Sequence, residues 1–179
     1  MKSSTKMITL VALVCAAPFV SAWIAYYMIQ PQGGMSYGTL LPTTQLPALP
    51  KDAIPESDRP SWDGKWRIVF ALPDTCDDAC QNTLYATRQA RTMLGRERER
   101  TQRVAMVTKA PSAEMRAAHP DALFIQRPEQ MPLAWWSPLQ DGILLLDPLG
   151  NQVLLWPKQP DIKKLNQDLA RLLRASRIG

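Results

Sequence analysis

The sequence has few of the residues that carry metal and hydrolytic chemistry, with one histidine and three cysteines among 179 residues. It contains no phosphate-binding glycine loop, no serine nucleophile elbow and no His-Glu-x-x-His motif, which excludes the enzyme classes that depend on them. The net charge of +5 is mild, and basic and aromatic residues do not alternate in a stripe, which argues against a nucleic-acid partner. With 46% hydrophobic and 21% charged residues, the composition is that of an ordinary folded protein.

Charged residues are also absent from residues 7–29, and this run exceeds the roughly 20 apolar residues that a helix needs to cross a bilayer. Lys2 and Lys6 precede the run, and no further lysine or arginine occurs before Lys51. The positive-inside rule therefore predicts a single-pass anchor in membrane lipid, with residues 1–6 cytoplasmic and the rest of the chain periplasmic at a bacterial inner membrane. Interfacial aromatic residues lie near the outer end of the run: Trp23, Tyr26 and Tyr27.

The N-terminal segment has two other interpretations besides an anchor. The triplet at residues 20–22 resembles a signal-peptidase site, which would release the chain after Ala22. The uncleaved anchor is favoured because the apolar run continues to Ile29, which a cleaved signal does not need. A lipoprotein is disfavoured because Val14 stands where a small residue should precede Cys15, so this cysteine is interpreted as a buried or lipid-facing apolar side chain.

Residues 30–61 are predicted to form a proline-rich linker that spaces the folded domain from the membrane. Within this segment, residues 37–42 are a part that can dock on the domain. The domain itself is expected to span residues 62–179. Helix-breaking residues recur through the linker: Gly33, Gly34, Pro42, Pro47, Pro50, Pro55 and Pro60.

The domain is predicted to contain strands and helices in the order β-α-β-α-β, followed by a β-hairpin and a last helix. Continuous apolar strands that alternate with helices predict an α/β sheet covered on both faces. This order of elements, with a cysteine pair between the first strand and the first helix, is typical of a thioredoxin-like domain. The predicted strands are 66–72, 103–108, 122–125, 143–146 and 153–156, and the predicted helices are 77–94, 111–118 and 160–175.

Cys76 and Cys80 are the candidate site residues. Their i, i+4 spacing would put both sulfurs on one face of a helical turn, with the two Cα atoms within the roughly 4.4–6.8 Å that a disulfide requires. The reduced pair would also offer two thiolates to Cu(I). A helix N-terminus would stabilise the thiolate of Cys76, whereas Asp77 and Asp78 oppose it, so modest activation is expected. A purely structural disulfide remains an alternative, but the strand-to-helix junction favours redox or metal chemistry.

Three segments of the domain carry a family resemblance: GKWRIVF at residues 64–70, the cysteines at 76 and 80, and LDPLG at residues 146–150. Together with the anchor they resemble the Sco/SenC-type proteins, which are membrane-anchored thioredoxin-like factors of cytochrome c oxidase assembly. The resemblance implies action outside the cytoplasm by thiol–disulfide exchange or copper handling. It also implies a protein client, such as an oxidase subunit or a copper chaperone.

In that family, two cysteines and one histidine bind copper. Cys76 and Cys80 match, but residues 137–142, the loop that holds the histidine in the family, contain none, which makes this a divergent member. His119 lies in another segment and is expected to be an exposed surface residue. We therefore expect Cu(I) binding through the two cysteines alone and weak or no binding of Cu(II), which prefers nitrogen and oxygen donors. Three methionines have the soft sulfur that copper prefers, but they are expected in the core: Met106, Met115 and Met131.

Two functions from different classes follow from these features. The first is an assembly factor that uses the cysteine pair for thiol–disulfide exchange or copper handling. Such a protein is better described as an assembly factor than as a classical enzyme. The second is a non-catalytic interaction module in which the pair is only a structural disulfide. The missing histidine favours the second function and the retained pair favours the first. Outside the pair, residues 135–136 (Trp-Trp) are expected to cap the sheet rather than to form an exposed patch for a partner. Residues 96–100 are expected to form a solvated loop or frayed helix end.

Overall fold

A computed structural model describes residues 2–28, 36–50, 53–54, 56, 62–129 and 131–179. The chain divides into two units, Met1–Met35 and Ser36–Gly179. In the first unit, helix α1 spans Lys2–Met28. Its stretch Lys6–Tyr27 has a mean hydropathy of 2.2 and, alone among the described helices, is long and apolar enough to cross a membrane.

Between residues 7 and 27, the surface of α1 is apolar on every side. The side chains there are exposed, apart from the half-buried Ala25, and they include the thiol of Cys15, as expected of a helix that would face lipid rather than a protein core. Pro18 lies inside the helix, and the hydroxyl of Ser21 donates to its carbonyl oxygen at 3.0 Å. Trp23 and Tyr27 meet one turn apart, with ring centroids 4.9 Å apart. The expected apolar N-terminal helix is therefore present and fits a membrane anchor.

The second unit is built on a six-stranded sheet with the order β1-β6-β5-β2-β3-β4. Strands β2, β3 and β4 run parallel, whereas β5, β6 and β1 each run antiparallel to their neighbours. The strands are β1 Thr39–Leu40, β2 Trp66–Leu72, β3 Thr101–Val107, β4 Ala122–Gln126, β5 Gly142–Leu146 and β6 Gln152–Pro157.

Helices cover both faces of this sheet and enclose two apolar cores. One core packs α2 and α5 against alternate residues of the central strand, including Ile68 and Phe70. The other packs α4 on the opposite face, where Val69 points. This alternation follows from the two-residue period of a strand. The helices are α2 Asp78–Thr92, α3 Ala113–Ala118, α4 Leu133–Asp141 and α5 Ile162–Ala175, with a 3-10 helix at Gly95–Arg100 between α2 and β3.

The α/β architecture and the element order predicted from sequence are confirmed. The structure adds two elements that the sequence did not predict, strand β1 and helix α4. Residues 96–100, expected as a loop or frayed end, lie in the 3-10 helix, and Arg100 there donates to the backbone oxygens of the C-terminal segment. Trp135 is buried on α4, which agrees with its expected place against the sheet, and Trp136 is only half-buried.

Part of the segment expected as a linker lies on the domain. Residues 36–50 follow the open edge of β6, and β1 pairs there with Leu154 and Leu155. Beyond β1, the backbone nitrogen of Leu46 donates to the Gly150 oxygen at 3.0 Å, and the side chain of Leu46 enters the core beside α4. Docking of residues 37–42 was foreseen from sequence, and it covers a sheet edge that would otherwise expose unpaired backbone groups.

Candidate redox site

Cys76 and Cys80 form a disulfide with a Cα–Cα distance of 5.2 Å, as their spacing predicted. The bond lies between the end of β2 and the start of α2. Cys80 is only 4% exposed and belongs to the core, whereas Cys76 is half-buried. The two sulfurs therefore differ in access, and a reagent from solvent reaches Cys76 first.

The start of α2 is set by Asp77, which is its N-cap residue. The carboxylate of Asp77 accepts a hydrogen bond from the backbone nitrogen of Cys80 at 2.9 Å, and its carbonyl accepts one from Gln81. The expectation that both cysteines share one face of a helical turn was therefore wrong. Only Cys80 lies in the helix, and Cys76 precedes the cap because aspartate at the cap position stops the helix from extending further back.

Charge around Cys76 is mixed. The N-terminus of α2 carries the partial positive charge of the helix dipole, which stabilises a thiolate. Asp77 and Asp78 are exposed beside it and act in the opposite sense. Two residues earlier, Asp74 accepts a hydrogen bond from Thr108 and pairs with Lys109 at 3.1 Å, and these two contacts lower the pKa of Asp74 below its usual value.

A cavity of about 460 Å³ lies beside the disulfide. Cys80 and Thr83 of α2 form one wall, and α4 supplies another through Trp136 and Gln140. Trp136 is held in place by Arg127, whose guanidinium lies 4.0 Å from the centre of its ring. The sequence did not predict this wall, because Pro132 and Pro138 indicate a loop where the structure has helix α4.

A family model described as a transmembrane-like, thioredoxin-like C-terminal domain matches residues 66–176, well over half of the chain. The chain belongs to that family. This match establishes the thioredoxin-like fold expected from the sequence, and it covers the disulfide and both walls of the cavity beside it. No curated protein matches the sequence.

Solved structures of Sco proteins share the fold of this transmembrane-like, thioredoxin-like protein, which confirms the resemblance at the level of the fold. Apo Sco1 from Thermus thermophilus is 20% identical, with a TM-score of 0.55, and the match covers 80% of this chain and 99% of that one. Arabidopsis thaliana ScoI with copper bound is 14% identical, with 65% and 88% covered and a TM-score of 0.54. Yeast Sco1 is 16% identical, with 65% and 84% covered and a TM-score of 0.54.

The described residues of this family member do not complete a three-ligand copper site. Among the described residues, no group of three histidine, cysteine, aspartate or glutamate side chains could hold a metal ion. Residues 137–142 lie within α4 and the first position of β5, and the α4 side chains beside Cys80 are Trp136, Leu139 and Gln140. The donor set is therefore two sulfurs, which suits Cu(I) but not Cu(II).

His119 is too far from the cysteines to supply the missing imidazole. It precedes the first residue of β4, whereas Cys76 follows the last residue of the parallel strand β2. Because β2, β3 and β4 are parallel, the two residues lie at opposite ends of these strands, separated by about 15 Å or more along the strand direction. His119 is half-buried rather than exposed, and burial together with the charges of Arg103 and Arg88 lowers its pKa. Of the methionines, Met106 is fully buried in the core beside α4 and Met131 packs against that core, whereas Met115 packs against the core on the other face of the sheet.

Proposed function

We propose that this chain is a membrane-anchored thioredoxin-like factor that acts outside the cytoplasm in cytochrome c oxidase assembly, by thiol–disulfide exchange at Cys76 and Cys80. The observation that carries the proposal is the half-exposed Cys76 joined to the buried Cys80 at the N-terminus of α2. The likeness in fold to Sco proteins supports the choice of process. The apolar helix α1 supports the anchor, with the domain on the periplasmic side of a bacterial inner membrane.

The exchange begins at Cys76 because Cys80 is buried. A client thiolate attacks Sγ of Cys76, forms a mixed disulfide and releases Cys80 as a thiolate that takes up a proton. The client's second thiolate then attacks the client sulfur of the mixed disulfide and releases Cys76. The client gains a disulfide and the pair becomes a dithiol. The reverse reaction reduces a client disulfide, and the two reduction potentials set the direction.

A Cys80→Ser variant of the full chain should trap the client, because Cys76 can attack a client disulfide but no second thiol resolves the product. We expect a reductant-sensitive adduct on non-reducing gels, with an oxidase subunit or a copper chaperone as the trapped protein. Cys76→Ser is the matched control and should trap nothing, since the remaining thiol is buried. No adduct with either variant, together with a reduction potential below about −300 mV, would instead assign the disulfide a structural role.

That outcome would support the second candidate, a non-catalytic interaction module. The observation in its favour is the lack of an imidazole beside the disulfide in the described part of the chain. The presence of two exposed carboxylates next to Cys76 also favours it, because they disfavour the thiolate on which exchange depends.

Copper handling, if the pair serves it, is confined to Cu(I) held by the sulfurs of Cys76 and Cys80 in the reduced protein. Titration of the reduced full chain with each oxidation state should give Cu(I) binding that disappears in a Cys76→Ser, Cys80→Ser double variant, and weak or no Cu(II) binding. His119→Ala should leave both titrations unchanged because His119 lies at the opposite end of the parallel strands from the cysteines. Tight Cu(II) binding, or Cu(I) affinity that survives in the double variant, would contradict this assignment.

A further inference from the structure

A second cavity, of about 670 Å³, lies away from the disulfide. Arg67, the second residue of β2, lines it, whereas Cys76 follows the far end of the same strand. Its volume falls in the range of small-ligand sites. The walls come from residues 45–50, Trp62 and Trp135, and the turn that follows β5 closes one side with Pro148, Leu149 and Gly150.

Arg67 is a buried cation at the wall of this cavity. Its side chain is 6% exposed, and the guanidinium lies 4.7 Å from the centre of the Trp62 ring. One terminal nitrogen, Nη2, donates to the Asp147 carbonyl at 2.8 Å, whereas Nε is buried without a hydrogen-bond partner. Burial lowers the pKa of Arg67 from its usual value, and the charges of Asp147 and Asp63 oppose that effect.

No carboxylate in the described part of the chain lies within ion-pair distance of Arg67. The nearby carboxylate of Asp147 is already engaged, since it accepts hydrogen bonds from the backbone nitrogens of Leu149 and Asn151 and from the Asn151 side chain. A buried charge is costly unless an opposite charge accompanies it. A guanidinium that lines a cavity without such a partner is the arrangement of an anion-binding site.

We propose that this cavity binds a carboxylate carried on an apolar body, with the carboxylate paired to Arg67 and the body held between the tryptophan rings and the aliphatic wall. Two sources share this chemistry: a free organic acid, and the C-terminal carboxylate of a peptide that ends in an apolar residue. A phosphate dianion fits less well, because Arg67 is the single cation that lines the described cavity and Asp63 lies in the same lining. Leu46, Leu49 and Ile54 supply the aliphatic part of the wall.

A purely structural role for Arg67 accounts for only part of its surroundings. The Nη2 hydrogen bond to Asp147 fastens the turn after β5, and packing on Trp62 places the guanidinium. Neither contact satisfies Nε or balances the charge. The ligand proposal explains both why Arg67 has no ion pair among the described residues and why open volume lies next to it.

The test is binding of N-acetylphenylalanine to the full chain in a neutral detergent, followed by tryptophan fluorescence and by the thermal unfolding temperature. The matched probe is N-acetylphenylalanine amide, which has the same body without the carboxylate. We expect saturable binding of the acid and binding of the amide at least about tenfold weaker. Comparison of 3-phenylpropionate with a short peptide ending in phenylalanine then distinguishes a free acid from a peptide terminus, since the preferred source binds more tightly.

Two variants locate the site. Arg67→Gln should abolish the preference for the acid over the amide, and Ala48→Trp, at an exposed wall residue, should block binding while Arg67 stays in place. Arg127→Gln is the matched control because it removes another arginine that packs on a tryptophan but lies outside this cavity. Equal binding of acid and amide, no saturable signal, or acid binding that persists in Ala48→Trp would overturn the proposal.

Discussion

Asp77 has two separate effects at the disulfide, one structural and one electrostatic. Its carboxylate caps α2 by accepting from the Cys80 backbone nitrogen, which fixes where the helix starts and where Cys80 sits. The same negative charge lies next to Cys76 and disfavours its thiolate. A pair whose dithiol form is less stabilised is harder to reduce, so Asp77 should hold the reduction potential of the site down.

Substitutions at Asp77 separate these two effects. Asp77→Asn keeps a capping oxygen and removes the charge, so the pair should become more oxidising and the Cys76 thiol more acidic, with little change in stability. Asp77→Ala removes both and should also lower the free energy of unfolding by about 1 kcal/mol. Equilibration with glutathione measures the potential, and urea unfolding measures the stability. A potential unchanged in both variants would show that the carboxylate does not influence the pair.

At the scale of elements, the sequence predicted the strands and helices that have a continuous or periodic apolar pattern. The strands from β2 to β6 and the helices α2, α3 and α5 were expected close to their observed bounds because their apolar periods are unambiguous. Helix α4 was missed because Pro138 lies inside it, and a proline normally breaks a helix. Strand β1 was missed because two residues show no period, and its pairing with β6 depends on tertiary contacts.

The candidate site was also predictable only in part. The disulfide followed from cysteine spacing alone. The buried state of Cys80 and the aromatic wall at Trp136 did not, because both depend on how α4 packs across the end of the sheet. Arg67 gave no signal in the sequence, since an arginine within a strand reveals neither its burial nor its missing partner.

The segment that carries β1 is fastened to the domain by one buried carboxylate. Asp168, on α5, is 3% exposed and accepts hydrogen bonds from the backbone nitrogens of Tyr37 and Gly38, at 3.1 and 2.9 Å, and from the indole nitrogen of Trp156 at 2.9 Å. Gly38 fits because a Cβ there would come within 2.7 Å of the Trp156 ring. The segment is therefore part of the fold and not only a spacer.

Asp168→Ala should release this segment, because it leaves three N–H groups, two buried and one part-buried, without an acceptor. A loss of about 3 kcal/mol is expected from the cost of unsatisfied donors. Hydrogen exchange should speed up most at the backbone amides of Gly38, Leu41 and Leu46, relative to those of β2 and β3. Gln167→Ala, an exposed neighbour on α5, is the control and should change little. Uniform acceleration throughout the domain would mean that the contact supports the whole fold rather than this segment.

At the scale of the whole molecule, the distribution of charge predicts how the chain is oriented in a membrane. Lys2 and Lys6 are the basic residues before the uncharged run, and none follows it until Lys51. By the positive-inside rule we expect the N-terminus to stay in the cytoplasm and the domain to be exported to a compartment where its disulfide persists. A reporter active only outside the cytoplasm, fused after Gly179, should be active, and a reporter active only in the cytoplasm should be silent there.

An inverted variant tests the cause of this orientation as well as the orientation itself. Lys2→Glu and Lys6→Glu remove the inner charges, and Gly33→Lys and Gly34→Lys place two charges on the other side of the run. If charge asymmetry orients α1, this variant should lower the activity of the external reporter and raise that of the cytoplasmic one. The mass of the exported wild-type fusion separates an anchor from a signal sequence, because cleavage after Ala22 would shorten it by 22 residues. An active cytoplasmic reporter on the wild-type chain would contradict the predicted orientation and, with it, the exposure of Cys76 to an oxidising compartment.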